Sequence, residues 1–234
     1  MSSAQRHTHF LDSHRIVAAM ARSDFQFSAL RHEVNSIFLV LPSNRLDAYS
    51  RWLRLLVAQG PARHWKGAEA SQAGVQRLKQ PALFLLDEKF AALGRLEAVE
   101  RALGLMAGYG LQLWPILQDM SQLKDLYGAR ANTFVANAGV LQCFGVNEFE
   151  TAKWLSQMIG RETTGYQTES YKPGDAPSTS FNVTARDLMT PDEIMQIPPN
   201  VQLLRVQGKP TMVALKLRYF ADKEFDGLYP AQPQ

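Results

Sequence analysis

The sequence predicts an α/β fold built on a mainly parallel sheet. Three observations carry that expectation. Short, nearly unbroken apolar runs recur at 36–41, 81–86, 111–117 and 140–144; such runs fit strands buried on both faces, as in a parallel sheet covered by helices. Segments with apolar residues at helical spacing lie between them, so strand and helix alternate as crossovers between parallel strands require. At the end, 201–206 and 211–219 flank Gln207-Gly208-Lys209-Pro210, the pattern of a β-hairpin closing a sheet edge.

Composition bounds the rest. The chain has 234 residues, enough for one large α/β domain or two small ones. A hydrophobic fraction of 46% suits a packed core and argues against global disorder. The net charge of +3 and pI near 9.0 permit nucleic-acid contact without demanding it. Cys143 is the only cysteine, so an intrachain disulfide and a cysteine-rich zinc site are excluded, and a reducing, cytoplasmic setting fits. His7, His9 and His14 share no metal-ligand spacing with carboxylates and read as solvated. No apolar run approaches the roughly 20 residues of a membrane span, and the first nine residues lack a signal-peptide core. The expectation is a chain that is soluble, or anchored only through something else.

In chain order, 1–12 reads as a disordered N-terminal tail and 13–22 as a short helix. The run 36–41 is a strand ended by Pro42. Asn44 then caps a helix whose stripe is Leu46, Tyr49, Leu53, Leu56 and Val57. Arg45, Arg51 and Arg54 lie off that stripe, either as a face that tracks DNA phosphates or as an ordinary solvated one. Gly60 and Pro61 are expected to end this helix, and 60–80 to be a connector. After the strand at 81–86 and a loop at 89–95, Leu96, Val99, Leu103 and Met106 mark a helix closing at Gly108 and Gly110. The strand 111–117 carries Pro115, which suits an edge or a bulge. Ser121 is expected to cap the helix reaching Tyr127, and 131–137 is another helix. A strand at 140–144 follows, then a helix capped by Asn147 and Glu150 and stopped by Gly160. The Thr-, Ser-, Gly- and Pro-rich stretch 163–184 reads as a long surface loop. Thr190-Pro191-Asp192-Glu193 reads as a capping box with proline at the first helical position. Residues 13–225 form one domain in this reading, and 226–234 a frayed tail.

The chemistry concentrates at Pro81-Ala82-Leu83-Phe84-Leu85-Leu86-Asp87-Glu88, an apolar strand ending in two carboxylates. Open α/β sheets bind ligands at the carboxyl ends of their strands. A strand so ended is the layout of a Walker B element, in which the first acid holds Mg²⁺ and its waters and the second polarises the attacking water. The competing reading is that the acids cap or charge-complement the next helix start. Gln118, at the end of a different strand, reads evenly as a phosphate sensor facing the same crevice or as a simple strand-end cap.

These residues meet a family. Leu83-Phe84-Leu85-Leu86-Asp87-Glu88 followed by Phe90-Ala91-Ala92-Leu93-Gly94-Arg95 resembles the Walker B region of TraG-type coupling proteins, the DNA-transfer ATPases of type IV secretion and conjugation. Collinear likenesses run through Phe38-Leu39-Val40-Leu41-Pro42, Ala107-Gly108-Tyr109-Gly110, Gln118-Asp119-Met120-Ser121, Phe144-Gly145-Val146-Asn147 and Leu188-Met189-Thr190-Pro191-Asp192-Glu193. They cover the chain from about His14 onward. The resemblance implies a RecA-like P-loop NTPase sheet using ATP and Mg²⁺. It implies Asp87 as the Mg²⁺ ligand, Glu88 as the water-activating acid and Gln118 as the γ-phosphate sensor. It also implies membrane-anchored hexamers at the cytoplasmic face of the inner membrane, which receive DNA from the relaxosome and feed other secretion components. Arg130 and Arg161, after helix ends, are the arginines weighed as a finger for a neighbouring subunit.

Two departures shape the expectation. No G-x-x-x-x-G-K-[ST] occurs, so the Walker A loop that cradles phosphates is missing. The chain therefore reads as the C-terminal part of a coupling protein, its sheet lacking the Walker A strand and loop. Lys89 intrudes where the family pattern runs Asp-Glu-Phe-Ala-Ala-Leu-Gly, and its ammonium can pair with Glu88. Two functions stay open: part of a DNA-translocating motor, inactive alone, or a truncated fragment that keeps subunit or DNA contacts and hydrolyses nothing.

Overall fold

Two adjacent parallel strands carry the candidate site. β1 (Ala82–Leu86) and β2 (Leu111–Pro115) pair in parallel, with Ala82 opposite Leu111 and Leu86 opposite Pro115. The computed structural model describes residues 3–31, 33–72, 81–87, 93–105, 110–171, 174 and 178–229. The chain divides into two units, Met1–Ala138 and Gly139–Gln234.

In the first unit, α1 (Ser3–Thr8), α2 (His14–Met20) and α3 (Leu46–Gln72) precede β1. α4 (Glu97–Leu105) lies between β1 and β2, and α5 (Met120–Tyr127) and α6 (Ala131–Asn137) follow. This is the strand–helix–strand order that a parallel pair needs, because parallel neighbours cannot be joined by a tight turn. Ala82 and Leu111 pack on Ala102 of α4, with Leu30, Phe84 and Leu113 around them. A second knot forms where Tyr127 and Phe134 bring their rings within 4.3 Å, centroid to centroid. The Tyr127 hydroxyl accepts from the Leu96 amide at 3.2 Å, fixing the start of α4 to the end of α5.

In the second unit, β3 (Val140–Cys143), β6 (Val201–Val206) and β7 (Met212–Leu215) form an antiparallel sheet in the order β3-β6-β7. α7 (Phe149–Ile159) and α8 (Pro191–Met195) cover it through Ala152, Leu155, Ile194 and Leu203. Gln202 is buried, and its amide donates to the Leu215 carbonyl and accepts from Gln142, so the polar group is satisfied in place. β4 (Arg161–Ser170) and β5 (Ser178–Asp187) make a separate ten-pair antiparallel ribbon.

The α/β class, the parallel pair beside the acid and the C-terminal hairpin β6–β7 agree with the sequence; the parallel part is smaller than expected. Residues 36–41 form neither helix nor strand and join no ladder among the described residues. β3 is antiparallel: Gln142 interrupts its apolar run, and its exposure alternates, as in a sheet covered on one face. The expected stop at Gly60 and Pro61 does not occur, and residues 60–72 of the expected connector are helical. Gly60 serves packing instead, for a Cβ there would meet the Phe84 ring. The alanines at 58, 62, 68 and 70 favour helix strongly enough to carry Pro61, which forgoes one backbone hydrogen bond. Residues 161–170 and 178–187 are a hairpin rather than a surface loop, because threonine is β-branched and pairs well across strands. The first residues are likewise structured: Phe10, in a 3₁₀ turn after α1, is buried. Tyr229, in the expected frayed tail, packs its ring on Tyr219. The caps shift as well. Asp119, not Ser121, caps α5, and Glu148, not Asn147, caps α7. At α8 the Thr190 box forms with Glu193, and proline stands at the helix start as expected.

Candidate functional site

Asp87 directly follows β1 and is exposed. Gln118 lies three residues past the end of β2. Since β1 and β2 are adjacent and parallel, both residues leave the sheet at the same edge, where a crevice forms in such folds. Glu88, Lys89 and the 90–92 part of the family-like loop lie outside the described residues, as do 106–109.

Gln118 is braced rather than loose. Its side-chain carbonyl accepts from the Gln122 side-chain Nε2 at 2.9 Å, and its backbone N–H donates to the Gln122 side-chain Oε1 at 3.2 Å. The helical turn of α5 thus presents Gln118 from a fixed base, with the amide nitrogen left as its donor. Asp119 takes the capping role, accepting from the Gln122 backbone N–H at 2.8 Å. Asp87, Gln118 and Asp119 thus all follow the carboxyl ends of the two paired strands.

The segment behind Asp87 is tied down from α3. The Arg54 guanidinium donates to the carbonyls of Leu93 and, at 2.9 Å, of Arg95. Between them Gly94 has φ +67°, a conformation that glycine tolerates and side chains avoid, and a Cβ there would meet the guanidinium at 2.8 Å. Arg54 is thus a clamp rather than part of a solvated basic face. Periodicity gave no sign of it, because the contact spans 39 residues. Arg45 stays exposed. An open hollow of about 510 Å³, lined by His7, Arg51, Arg54, Arg95, Glu97 and other residues, lies on this side and includes neither Asp87 nor Gln118.

The two arginines weighed as fingers sit in ion pairs. Arg130 meets Glu100 at 2.7 Å, and Arg161 meets Asp187 at 2.7 Å. Glu100 also receives Arg95 at 3.2 Å. The hydrogen bond from Arg130 holds the Glu100 carboxyl below the ordinary range, with Arg95 adding to it. Burial pushes the Cys143 thiol up to about 11, so it is a packing group rather than a nucleophile. Among the described residues no cluster of three or more His, Cys, Asp or Glu forms a metal cage.

With this geometry in place, comparison with known proteins decides the family. The model of the type IV secretory system conjugative DNA transfer family matches residues 1–232. The chain belongs to this family. Over 222 residues it is 30% identical to protein VirD4 of Agrobacterium fabrum, covering 93% of this chain and 32% of that protein. Over 235 residues it is 28% identical to the conjugal transfer protein TraG of Escherichia coli, covering 88% of this chain and 36% of that protein. The chain thus spans about a third of the length of these curated relatives. Among solved structures it is similar to the bacterial conjugative coupling protein TrwB, with a TM-score of 0.63 at 18% identity, covering 82% of this chain and 44% of that one. TrwB in complex with ADP and Mg²⁺ gives a TM-score of 0.62, also at 18% identity, covering 82% and 43%. The likeness shows that this chain shares the mixed α/β fold of TrwB over most of its length.

The donor set fits one end of a magnesium nucleotide and not the other. An exposed carboxylate such as that of Asp87 is the kind of oxygen donor that could contact a hydrated Mg²⁺. A triphosphate needs converging backbone N–H groups and a lysine, and the sequence has no such loop. Asp87 and Asp119 would repel a bare polyanion at this edge. The residues of this chain therefore do not complete a nucleotide site.

Proposed function

We propose that this region is the C-terminal part of an ATP-driven DNA-translocation motor that delivers substrate to a type IV secretion channel. It contributes the metal-and-water edge of the motor: Asp87 contacts Mg²⁺, Glu88 orients water and Gln118 senses the γ-phosphate. The single observation that supports this best is the shared edge, with Asp87 and Gln118 leaving adjacent parallel strands side by side. The bracing of Gln118 by Gln122 supports a sensor, because a sensing amide works only from a fixed position. Hexamer formation and a seat at the inner membrane belong to this proposal as properties of the whole coupling protein. DNA contact is proposed through phosphates, with Arg45 and Arg51 as the cations toward the backbone.

The missing phosphate loop sets what the chain does alone. Phosphoryl transfer rests on positioning the triphosphate and neutralising its oxygens, and this chain supplies neither the loop nor its lysine. The purified chain is expected to show no ATP turnover above background. Supplied with a phosphate-loop half of a coupling protein, it is expected to turn over MgATP, faster with DNA and less so as salt rises, with Asp87→Ala or Glu88→Gln abolishing the rate. Turnover by the chain alone, lost in Asp87→Ala, would overturn the assignment. Failure of every reconstitution, with salt-sensitive DNA binding intact, would favour the non-catalytic interaction fragment; the missing loop is the observation that keeps that reading in view.

A further inference from the structure

The knot at the start of α5 fixes more than the position of Gln118; it fixes which end of its amide faces outward. A backbone N–H can only donate, so the Gln122 side-chain oxygen, not its nitrogen, meets the Gln118 N–H, at 3.2 Å. That contact orients the Gln122 amide and turns its Nε2 toward the Gln118 side chain, which it reaches at 2.9 Å. Two amide NH₂ groups are both donors and do not bond to each other, so Gln118 contributes Oε1 to this contact. Its own Nε2 is then the end that points away from the knot. Asp119 holds the backbone of the same turn, accepting from the Gln122 N–H at 2.8 Å. Gln122 is the third residue of α5, where a Gln or Glu side chain ordinarily reaches back to the cap residue. Here it reaches one residue further, to Gln118.

We infer that Gln122 is a positioning residue that sets the polarity of the Gln118 amide, committing Gln118 to donate to an anionic oxygen such as that of a terminal phosphate. The inference rests on the functional reading above, in which Gln118 is the γ-phosphate sensor, and it names the group that makes the sensor one-way. An unbraced glutamine presents either end of its amide, one an acceptor and the other a donor. The carbonyl end would turn a partial negative charge toward a phosphate, whereas the NH₂ end turns a partial positive one. Gln118 is exposed, so its outward end meets solvent or ligand rather than a packed core. A helix cap alone is served by glutamate as well as by glutamine at this position. Glutamine differs in that it both accepts from the Gln118 backbone and donates to the Gln118 side chain. Glutamate would keep the backbone bond but has no donor. Gln118 would then turn its Nε2 inward to the carboxylate and present its oxygen.

The test reads proton exchange in the full chain. The side-chain amide resonances of Gln118 and Gln122 are assigned by nitrogen-15 labelling and single substitution, and their exchange with water is timed by NMR. In the native chain the Gln122 pair is expected to exchange about threefold or more slowly than the Gln118 pair, because one of its protons is bonded. In Gln122→Glu the Gln118 pair is expected to become the slow one, with cooperative thermal unfolding retained. Gln122→Met removes both bonds and guards against a glutamate variant that fails to fold; the Gln118 pair is expected to lose order in nitrogen-15 relaxation. A native Gln118 pair as slow as that of Gln122, a Gln118 pair unchanged in Gln122→Glu, or native order kept in Gln122→Met would each overturn the inference. The native chain and Gln122→Glu are then combined with the phosphate-loop half of a coupling protein. Gln122→Glu is expected to lower kcat for MgATP about tenfold or more while KM stays within about twofold, as for a donor lost at the reacting phosphate. Equal kcat in the two would overturn the role of Gln122 in the reaction. The expected exchange pattern with no turnover in the native assembly would refute the motor reading and leave the amide polarity standing.

Discussion

Arg54 shows how one side chain can hold a loop that the strand alone would not. Its fork reaches two carbonyls on either side of Gly94, and a planar guanidinium does this with one fixed geometry. Arg54→Ala leaves both carbonyls without that donor and is expected to cost about 1–3 kcal/mol of stability, read in denaturant unfolding. Arg54→Lys is expected to recover little of it, since a single ammonium does not span both acceptors; full recovery would show that charge alone suffices. Glu100 carries a pH signature. Its carboxyl is held low mainly by Arg130, so the stability it contributes is full above the ordinary carboxylate pKa and falls away as pH drops through its depressed value. The melting temperature is expected to decline from neutral pH into the acid range more steeply in the native protein than in Glu100→Gln. Parallel declines in the two proteins would remove Glu100 from the account.

At the scale of elements, the β4–β5 ribbon is the most informative departure from the sequence. Phe181 folds over Gly165 on one face, filling the space that a glycine leaves in a strand. Every residue of β4 is exposed, so the ribbon is held by its own ladder and little else. Gly165→Val is expected to displace the Phe181 ring and speed amide exchange across 161–187 by tenfold or more, while α7 amides keep their protection. Slowed exchange would mean that the added β-branched side chain outweighs the lost ring contact. This ribbon also marks where the sequence stopped being legible. Where a signal is local, it was readable: the 81–86 strand, the Thr190 capping box and the β6–β7 hairpin come from contiguous residues whose pattern and turn chemistry agree. Where the deciding contact is distant, it was not. Gly60 packs on Phe84, and Arg54 finds Leu93, so neither declares its role to a neighbour in sequence. In the ribbon, threonine's β-preference was outvoted by its frequency in loops. The candidate site was half legible: a run of apolar residues before Asp87 announces an acid at a strand end, but the bracing of Gln118 by Gln122 and the cap at Asp119 needed the start of α5 to be placed to the residue.

The whole molecule consists of two units that differ in how completely each closes its own core. In Gly139–Gln234, Ala152, Leu155, Ile194 and Leu203 are 0–3% exposed, and helices α7 and α8 cover a three-stranded antiparallel sheet. Antiparallel sheets tolerate one solvated face, and this one keeps a closed core although Val213 and Leu215 of β7 stay exposed. In Met1–Ala138 the parallel pair leaves Leu83, Leu85 and Trp114 in solvent, an arrangement that parallel sheets rarely sustain unaided. The second unit is therefore expected to fold when expressed alone as 139–234, unfolding in one cooperative transition, with Leu155→Ala costing about 2–5 kcal/mol. The first unit expressed alone is expected to aggregate or to unfold at lower denaturant. Unfolding of 139–234 without a cooperative transition, or a first unit that matches it in midpoint, would show that the two cores depend on each other instead.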